Sequence, residues 1–163
     1  MTDKHAAHVR VVEKIESQGA EIKRLCAGLD EELLARRARP EQWSVKEVLA
    51  HIARIQEIFE GRLEAMLTQE KPAIVSYSPE KDAEFELFAK RTTPEILKTF
   101  EEGRARIVAR LVALAPADWH RAGSHPDYPA YDVHFCMDYM THHEAHHVYQ
   151  MFERRAAFAP SPH

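Results

Sequence analysis

Four histidines fall within six consecutive positions near the end of the chain, in the stretch THHEAHHVYQ at residues 141–150. They form two pairs, His142 with His146 and His143 with His147, and the members of each pair are four residues apart. Four residues are about one helical turn. On a helix, either pair therefore presents two imidazoles side by side, an arrangement that can bind a divalent metal ion.

A helical wheel separates the two pairs. At about 100° per residue, His143 and His147 lie on the apolar face of the helix, which is expected to point into the protein core. That face also carries Val133, Cys136, Met140 and Met151. His142 and His146 turn away from it, and we interpret them as residues of a solvated face. Only His143 and His147 are therefore expected to reach a buried site.

A third histidine, His51, lies far upstream in another segment with helical spacing of apolar residues. It borders the stripe that contains Val48, Ile52, Ile55 and Phe59, so its imidazole is also expected to point inward. Three neutral imidazoles suit zinc or a similar divalent ion such as nickel. Three protein ligands leave a position open for water or substrate, which indicates a working site. The alternative is that His51 is a hydrogen-bonded core residue.

The same stretch matches the zinc-protease motif His-Glu-x-x-His, with Glu144 as general base between His143 and His147. The longer form of that motif needs glycine and histidine at the positions that Gln150 and Glu153 occupy. No strand pattern is present to hold an extended peptide, so a zinc hydrolase is the remote alternative. A di-iron carboxylate bundle is disfavoured because only one Glu-x-x-His unit is present.

The rest of the chain predicts the helices that must position these residues. Apolar residues recur at three- and four-residue spacing, and only 5 glycines occur, which indicates an all-α protein. Ser44 and Glu47 predict a capping box, and Thr93 is expected to cap a later helix with Pro94 at its first position. The expected long helices span about residues 8–34, 45–67, 94–114 and 132–157, with a short one near 80–90. They predict a four-helix bundle with long crossover connections.

Composition limits the classes of protein. We expect one domain over residues 1–163, because a chain of this length can bury a single core. The tail from about residue 158 is expected to be disordered. The net charge of −4, without a one-sign stripe, disfavours nucleic-acid binding. The sequence has no apolar run long enough to span a membrane. Its first residues are charged and lack the apolar core of a signal peptide, so a cytoplasmic protein is expected. Cys26 and Cys136 are too few for a disulfide framework.

Two segments resemble those of DinB-like proteins. RARPEQWSVKEVLAHIARI, at residues 37–55, resembles the entry into the family's second helix, with its Trp-Ser, its glutamate and its helix-borne histidine. HEAHHVYQM, at residues 143–151, resembles the closing motif, in which two histidines four apart precede a glutamine by three residues. The resemblance spans about residues 13–152.

This resemblance implies a four-helix bundle that holds a divalent metal through three histidines, which map onto His51, His143 and His147. The mapping agrees with the helical wheels. Glu144 and Gln150 match common positions of the closing motif. Some DinB-like proteins are transferases or isomerases that use bacillithiol, mycothiol or glutathione, and members often form dimers.

The resulting hypothesis is a metal-dependent thiol S-transferase that acts on a small electrophile, with a small-molecule substrate and a homodimeric assembly. Glu144 is assigned as a base or as a partner that orients an imidazole, and the alternative is an exposed acid that only aids solubility. Gln150 and Tyr139 are assigned to the pocket edge, where they either orient the thiol or the substrate or simply pack. The competing hypotheses are a non-catalytic, stress-linked metal-binding protein and a purely structural bundle.

Overall fold

The computed structural model describes residues 3–162, which are mostly helical. Within that range, no helix combines the length and the apolar character needed to cross a membrane. The long helices are α1 (Asp3–Cys26), α3 (Val45–Thr68), α5 (Thr93–Val112) and α6 (Val133–Ala156). The short helices are α2 (Glu31–Ala35) and α4 (Ala83–Ala89).

The four long helices form the predicted bundle. α3 packs against α5 and α6, and α1 packs against the same two helices. α1 and α3 are therefore diagonal to each other although they are consecutive long helices, and so are α5 and α6. The connections over residues 27–44 and 113–132 make these two diagonal crossings, which confirms the expected crossover topology.

Local sequence determines where the long helices begin. Ser44 and Glu47 form the predicted capping box at the start of α3, with hydrogen bonds of 3.1 and 2.8 Å. The capping prediction for α5 is wrong by one residue: Thr92 is the cap, and Glu95 completes its capping box. The carboxylate of Asp132 accepts a hydrogen bond from the amide of Phe135 and so caps α6.

The first helix ends eight residues earlier than predicted, at Cys26 in place of residue 34. Gly28 has a φ of 79°, a left-handed conformation that stops a helix and that glycine adopts without steric cost. Asp30 then caps the separate helix α2. Because Leu34 of α2 is buried as well, the apolar spacing continues across the break, which explains the prediction of one long helix.

The second crossing holds a small sheet that the sequence did not predict. Strands β1 (Ala122–Gly123) and β2 (Tyr131–Asp132) pair antiparallel, and an isolated bridge joins Ala73 to Ser124 of this crossing. Two-residue strands are too short to show an alternating pattern. The tail contacts the bundle through the carbonyls of Pro160 and Pro162, which accept hydrogen bonds from Arg155 and Arg24; His163 lies outside the described residues.

One buried side chain touches all four long helices. Arg104 of α5 donates from Nε to Oε1 of Gln56 on α3 at 2.7 Å, and from Nη1 to the carbonyl of Ile15 on α1 at 2.8 Å. Its guanidinium also makes a two-pronged ion pair with Glu144 of α6. Arg104 and Glu144 are only 7% and 4% exposed, so this pair is a polar junction inside an apolar core. We call Arg104, Gln56 and Glu144 the Arg104 junction.

The approach of α5 to α3 at this junction depends on Gly103. A Cβ atom at Gly103 would lie 2.5 Å from Nε2 of Gln56. Gln56 cannot move aside freely, because its Nε2 donates to the carbonyl of Phe100 and its Oε1 accepts from Arg104. Gly61, in the middle of α3, has no neighbour within 4 Å of such a Cβ.

Gly103→Ala is therefore expected to destabilise the protein by about 1–3 kcal/mol, because overpacking outweighs the better helix propensity of alanine. Gly61→Ala is the matched control and should stabilise by roughly 0.5–1 kcal/mol. The free energy of unfolding in urea measures both effects. Stabilisation of similar size by both variants would show that the α3–α5 contact does not need a glycine.

Candidate metal centre

The three candidate ligands come from two helices that pack against each other. His51 lies in the N-terminal half of α3, and His143 and His147 are one turn apart near the middle of α6. The caps at Ser44 and Asp132 fix where these helices begin. Each cap thereby fixes which residues of its helix face the α3–α6 contact.

The imidazoles converge on one point. Nε2 of His147 lies 3.0 Å from Nε2 of His51 and 3.2 Å from Nε2 of His143. The candidate ligand atoms of all three lie within 4.8 Å of one another. Two nitrogens bound at about 2.0–2.1 Å to a tetrahedral zinc ion are roughly 3.3 Å apart. The spacing in the protein is therefore close to that of a metal site.

The protonation of the imidazoles favours the ligating form. Burial, with the neighbouring imidazoles of His147 and His143, lowers the pKa of His51 to about 3. Burial lowers the pKa of His143 to about 4 and also lowers that of His147. The three rings are therefore neutral at physiological pH, as metal ligands must be. A cation would satisfy all three nitrogen lone pairs at once, whereas one hydrogen bond cannot.

Two different contacts hold the rings of His147 and His51 in place. Nδ1 of His147 lies 2.7 Å from Oε1 of Gln150, so a proton on Nδ1 leaves Nε2 free to bind a metal. Nδ1 of His51 is buried and has no hydrogen-bond partner among residues 3–162. The His51 ring instead packs against Trp43 and Phe85, with centroids 5.1 and 5.9 Å away. Packing therefore orients His51, and a hydrogen bond orients His147.

The three histidines line a cavity of about 430 Å³. Ile55, Ile58 and Phe59 continue its wall along α3. Two connecting segments complete the wall of the cavity with polar side chains. Ser76 and Tyr77 come from the segment after α3, and His125 and Asp127 come from the segment before α6. The volume suits a small molecule, and the imidazoles give it a concentrated group of metal-ligating atoms.

Tyr139 and Gln150 were both expected at the pocket edge, and the structure places them differently. Tyr139 lines the cavity, where its ring meets Phe59 edge to face at 5.4 Å. Gln150 does not line the cavity and instead contacts the far side of the His147 ring. Gln150 is thus placed to orient His147, a candidate metal ligand, and not to touch a substrate.

Glu144 does not have the environment that was expected of a base or of an imidazole partner. Its carboxylate is buried in the Arg104 junction and does not line the cavity. Burial raises the pKa of Glu144, and the charge and hydrogen bonds of Arg104 oppose that rise. The wheel position about 60° from His147 turns Glu144 toward α5, which the sequence could not place beside α6. The motif His-Glu-x-x-His therefore lacks its base here.

His142 and His146 are exposed, as the helical wheel predicted. Nδ1 of His142 lies 2.8 Å from the carbonyl of Asp138, one turn earlier in α6. His146 lies at the rim of the cavity and its ring meets that of His147 at 5.2 Å. Neither belongs to the group of converging ligand atoms.

A second pair of histidines was not indicated by the sequence. Nδ1 of His8 lies 2.9 Å from Nδ1 of His134, and the His8 ring stacks on Trp119 at 4.4 Å. Two facing ring nitrogens are satisfied by one hydrogen bond. Among residues 3–162, only His51, His143 and His147 form a group of three ligating side chains, so we interpret the pair at His8 as structural.

Cys136 is buried, as expected for a structural cysteine, and so is Cys26. The hydroxyl of Tyr131 donates to Sγ of Cys136 at 3.2 Å, and burial raises the pKa of the Cys136 thiol to about 12. This thiol is therefore protonated at physiological pH and unsuited to nucleophilic chemistry.

Comparison with known proteins adds a family and a set of related folds. The family model of the DinB superfamily matches residues 14–151. The protein YuaE of Bacillus subtilis is 28% identical over 141 residues, which cover 77% of this chain and 85% of YuaE.

Three solved structures share the fold. YfiT from Bacillus subtilis, described as a probable metal-dependent hydrolase with an unusual four-helix bundle topology, has a TM-score of 0.82 at 21% identity, over 99% of this chain and 91% of YfiT. The mycothiol-dependent maleylpyruvate isomerase has a TM-score of 0.75 at 14% identity, over 93% of this chain and 63% of the isomerase. A protein from Streptococcus pneumoniae has a TM-score of 0.71 at 13% identity, over 93% and 92% of the two chains.

The burial of Glu144 predicts a structural effect when it is changed. Glu144→Gln leaves the buried charge of Arg104 without its counter-ion, and we expect a loss of about 3–5 kcal/mol in the free energy of unfolding of the metal-free protein. The control is Glu60→Gln, which breaks a partly exposed pair with Arg106 and should cost less than about 1 kcal/mol. Equal, small losses in the two variants would contradict a structural role for Glu144.

Proposed function

Since this chain belongs to the DinB superfamily, we propose that His51, His143 and His147 hold a divalent cation and that the adjoining cavity binds a low-molecular-weight thiol for transfer to a small electrophile. The observation that carries the proposal is the convergence of three neutral imidazoles at the wall of a cavity large enough for a small molecule. Zinc or nickel is the expected cation, because imidazole ligands suit both.

His51, His143 and His147 would hold the cation, which would supply the positive charge that lowers the pKa of a thiol bound beside it. In the proposed reaction, the thiol proton is released to solvent, the thiolate sulfur forms a bond to the electrophilic carbon of the substrate, and the bond from that carbon to its leaving group breaks, so that the leaving group departs with the electron pair. The similarity to the mycothiol-dependent maleylpyruvate isomerase supports a thiol as the cosubstrate.

The side chains of this protein orient the candidate ligands and offer apolar surface to the reactants. Gln150 holds His147, and Trp43 holds His51, so the ligands are oriented before a cation binds. Ile55 and Phe59 cover one side of the cavity with apolar surface, against which a thiol and an electrophile can lie close together.

Hydrolysis is the second candidate, because YfiT is described as a probable metal-dependent hydrolase. Both reactions use the same cation and differ in the nucleophile, a thiol or a water molecule. A protease-type mechanism is disfavoured here, since Glu144 is engaged with Arg104 and does not reach the cavity. A non-catalytic metal-binding protein is the remaining alternative. The homodimer stays a prediction of the family resemblance.

Metal content tests the centre directly. The untagged protein is expected to bind about one divalent ion per chain, and His51→Ala and the double variant His143→Ala/His147→Ala should both lose it. Mass spectrometry of the purified proteins, after reconstitution with zinc or nickel, measures the ratio.

The double variant His142→Ala/His146→Ala is the matched control, because it removes the exposed pair from the same two turns of α6 and should keep its metal. Full metal content in His51→Ala would show that α6 binds metal without α3. With the metal in place, a thiol that raises the unfolding temperature of the wild type but not of His51→Ala supports the transferase. Failure of every thiol to do so favours the other two functions.

The contact between Gln150 and His147 predicts a smaller, graded effect. Gln150→Leu removes the acceptor for Nδ1 of His147 and should weaken zinc binding about 10- to 100-fold. Gln150→Glu keeps an acceptor oxygen at that position and should retain most of the affinity. Competition with a zinc-selective chelator measures both constants. Wild-type affinity in Gln150→Leu would mean that this hydrogen bond does not support a ligand.

A further inference from the structure

The cavity contains a buried cation of the protein itself, Arg62 of α3. Arg62 is only 9% exposed. Within residues 3–162, no carboxylate oxygen lies within 4.0 Å of its guanidinium nitrogens. A buried charge without a counter-ion is costly, and proteins usually pair such a group or use it.

The other buried arginines have their charge compensated in ways that Arg62 does not. Arg104 pairs with Glu144. Arg155 of α6 donates to the carbonyl oxygens of Leu25 and Ala27 at the C-terminal end of α1, which suit a cation, and to the carbonyl oxygen of Pro160. Neither of these two arginines lines the cavity, whereas Arg62 does.

The contacts of Arg62 leave part of its guanidinium available. Nη2 donates to the carbonyl of Val75 at 2.8 Å, and Nη1 donates to the hydroxyl of Tyr131 at 3.3 Å. Its Cζ lies 5.0 Å from the centre of the Phe59 ring. Guanidinium has five N–H donors, so these two hydrogen bonds fix its position without using its capacity. The group is thus held ready to bind a planar anion with two oxygens.

The charges around Arg62 do not neutralise it. Asp127 also lines the cavity, but its carboxylate is largely exposed and accepts a hydrogen bond from Ser76. The nearby imidazole of His125 is held close to Tyr131 by stacking at 4.9 Å. Burial lowers the pKa of His125, and the positive charge of Arg62 lowers it further. Among the described residues that line the cavity, Asp127 is the one carboxylate, and it does not make an ion pair with Arg62.

Arg62 and His51 lie at different ends of the same wall. They are eleven residues apart on α3, which corresponds to about 16 Å along the helix axis, and arginine side chains lean back toward the helix N-terminus. Ile55 and Phe59 lie between them on the wall of the cavity. A ligand that touches both ends must therefore be elongated, with an apolar middle.

We propose that Arg62 binds a carboxylate of the small molecule whose other end reaches the three-histidine centre. This inference rests on the proposed function and adds a substrate class to it: an amphipathic, anionic molecule with an apolar segment between its acid group and its reactive end. The carboxylate belongs either to the thiol cosubstrate or to the electrophile, and the same guanidinium recognises it in both cases.

Cobalt(II)-reconstituted protein provides the test, because a sulfur bound to cobalt gives a charge-transfer absorption. A series of ω-mercaptoalkanoates of increasing length is titrated beside the ω-mercaptoalcohols of equal length. At the length that matches the cavity, the acid is expected to bind roughly 10- to 100-fold more tightly than the alcohol. Arg62→Gln should remove this preference while the alcohols bind as before.

A second arm identifies which reactant carries the carboxylate. Octanoate, which has no thiol, is titrated by calorimetry in the presence of mercaptoethanol. A strong preference among the mercaptoacids assigns the carboxylate to the thiol cosubstrate. Arg62-dependent binding of octanoate together with mercaptoethanol assigns it to the electrophile. Either result supports the proposal, and the absence of any Arg62-dependent preference in both arms overturns it.

Three controls keep the result interpretable. Arg110→Gln removes an exposed arginine that pairs with Glu64 and should change nothing. Arg62→Lys retains the charge without the paired donors and should keep only part of the preference. Unaltered binding of the alcohols shows that Arg62→Gln is folded. Octanoate binding that depends on Arg62, without cobalt–sulfur absorption for any thiol, would refute the proposed thiol chemistry and leave the anion site standing.

Discussion

The arrangement of the bundle depends on one buried guanidinium. Arg104 ties α5 to α1, to α3 through Gln56 and to α6 through Glu144, so each long helix has a polar contact at the same level of the core. Hydrophobic burial tolerates small slides of one helix along another, whereas directional hydrogen bonds do not. Glu144 is next to His143, so the junction that fixes the register of α6 also fixes the height of the candidate metal ligands along the helix.

The sequence predicted the parts of the site that depend on a single helix. The spacing of His143 and His147, the exposure of His142 and the cap at Ser44 follow from local geometry. The convergence with His51 followed because the apolar stripes of two helices must face each other. The break at Gly28 was missed, because the apolar spacing continues into α2 and conceals the reversal of the chain.

Contacts between distant elements were beyond the reach of the sequence. The inward turn of Glu144 is explained only by Arg104, a residue on a helix forty positions earlier. The motif resembles that of a zinc protease, but its glutamate, Glu144, is the buried counter-ion of Arg104. Arg62 carried a readable signal, since it lies on the same face of α3 as Ile55 and Phe59, but a charged residue on an apolar face gains meaning only once the cavity is seen.

The helices and the connecting segments contribute different kinds of residue to the wall of the cavity. The three converging imidazoles belong to α3 and α6, which are fixed by the core, while Ser76, Tyr77 and His125 come from connecting segments joined by the bridge between Ala73 and Ser124. Connecting segments accept insertions and substitutions more readily than core helices do. Substitutions in these two connecting segments can therefore change which molecules enter the cavity, while the helices keep the three histidines in place.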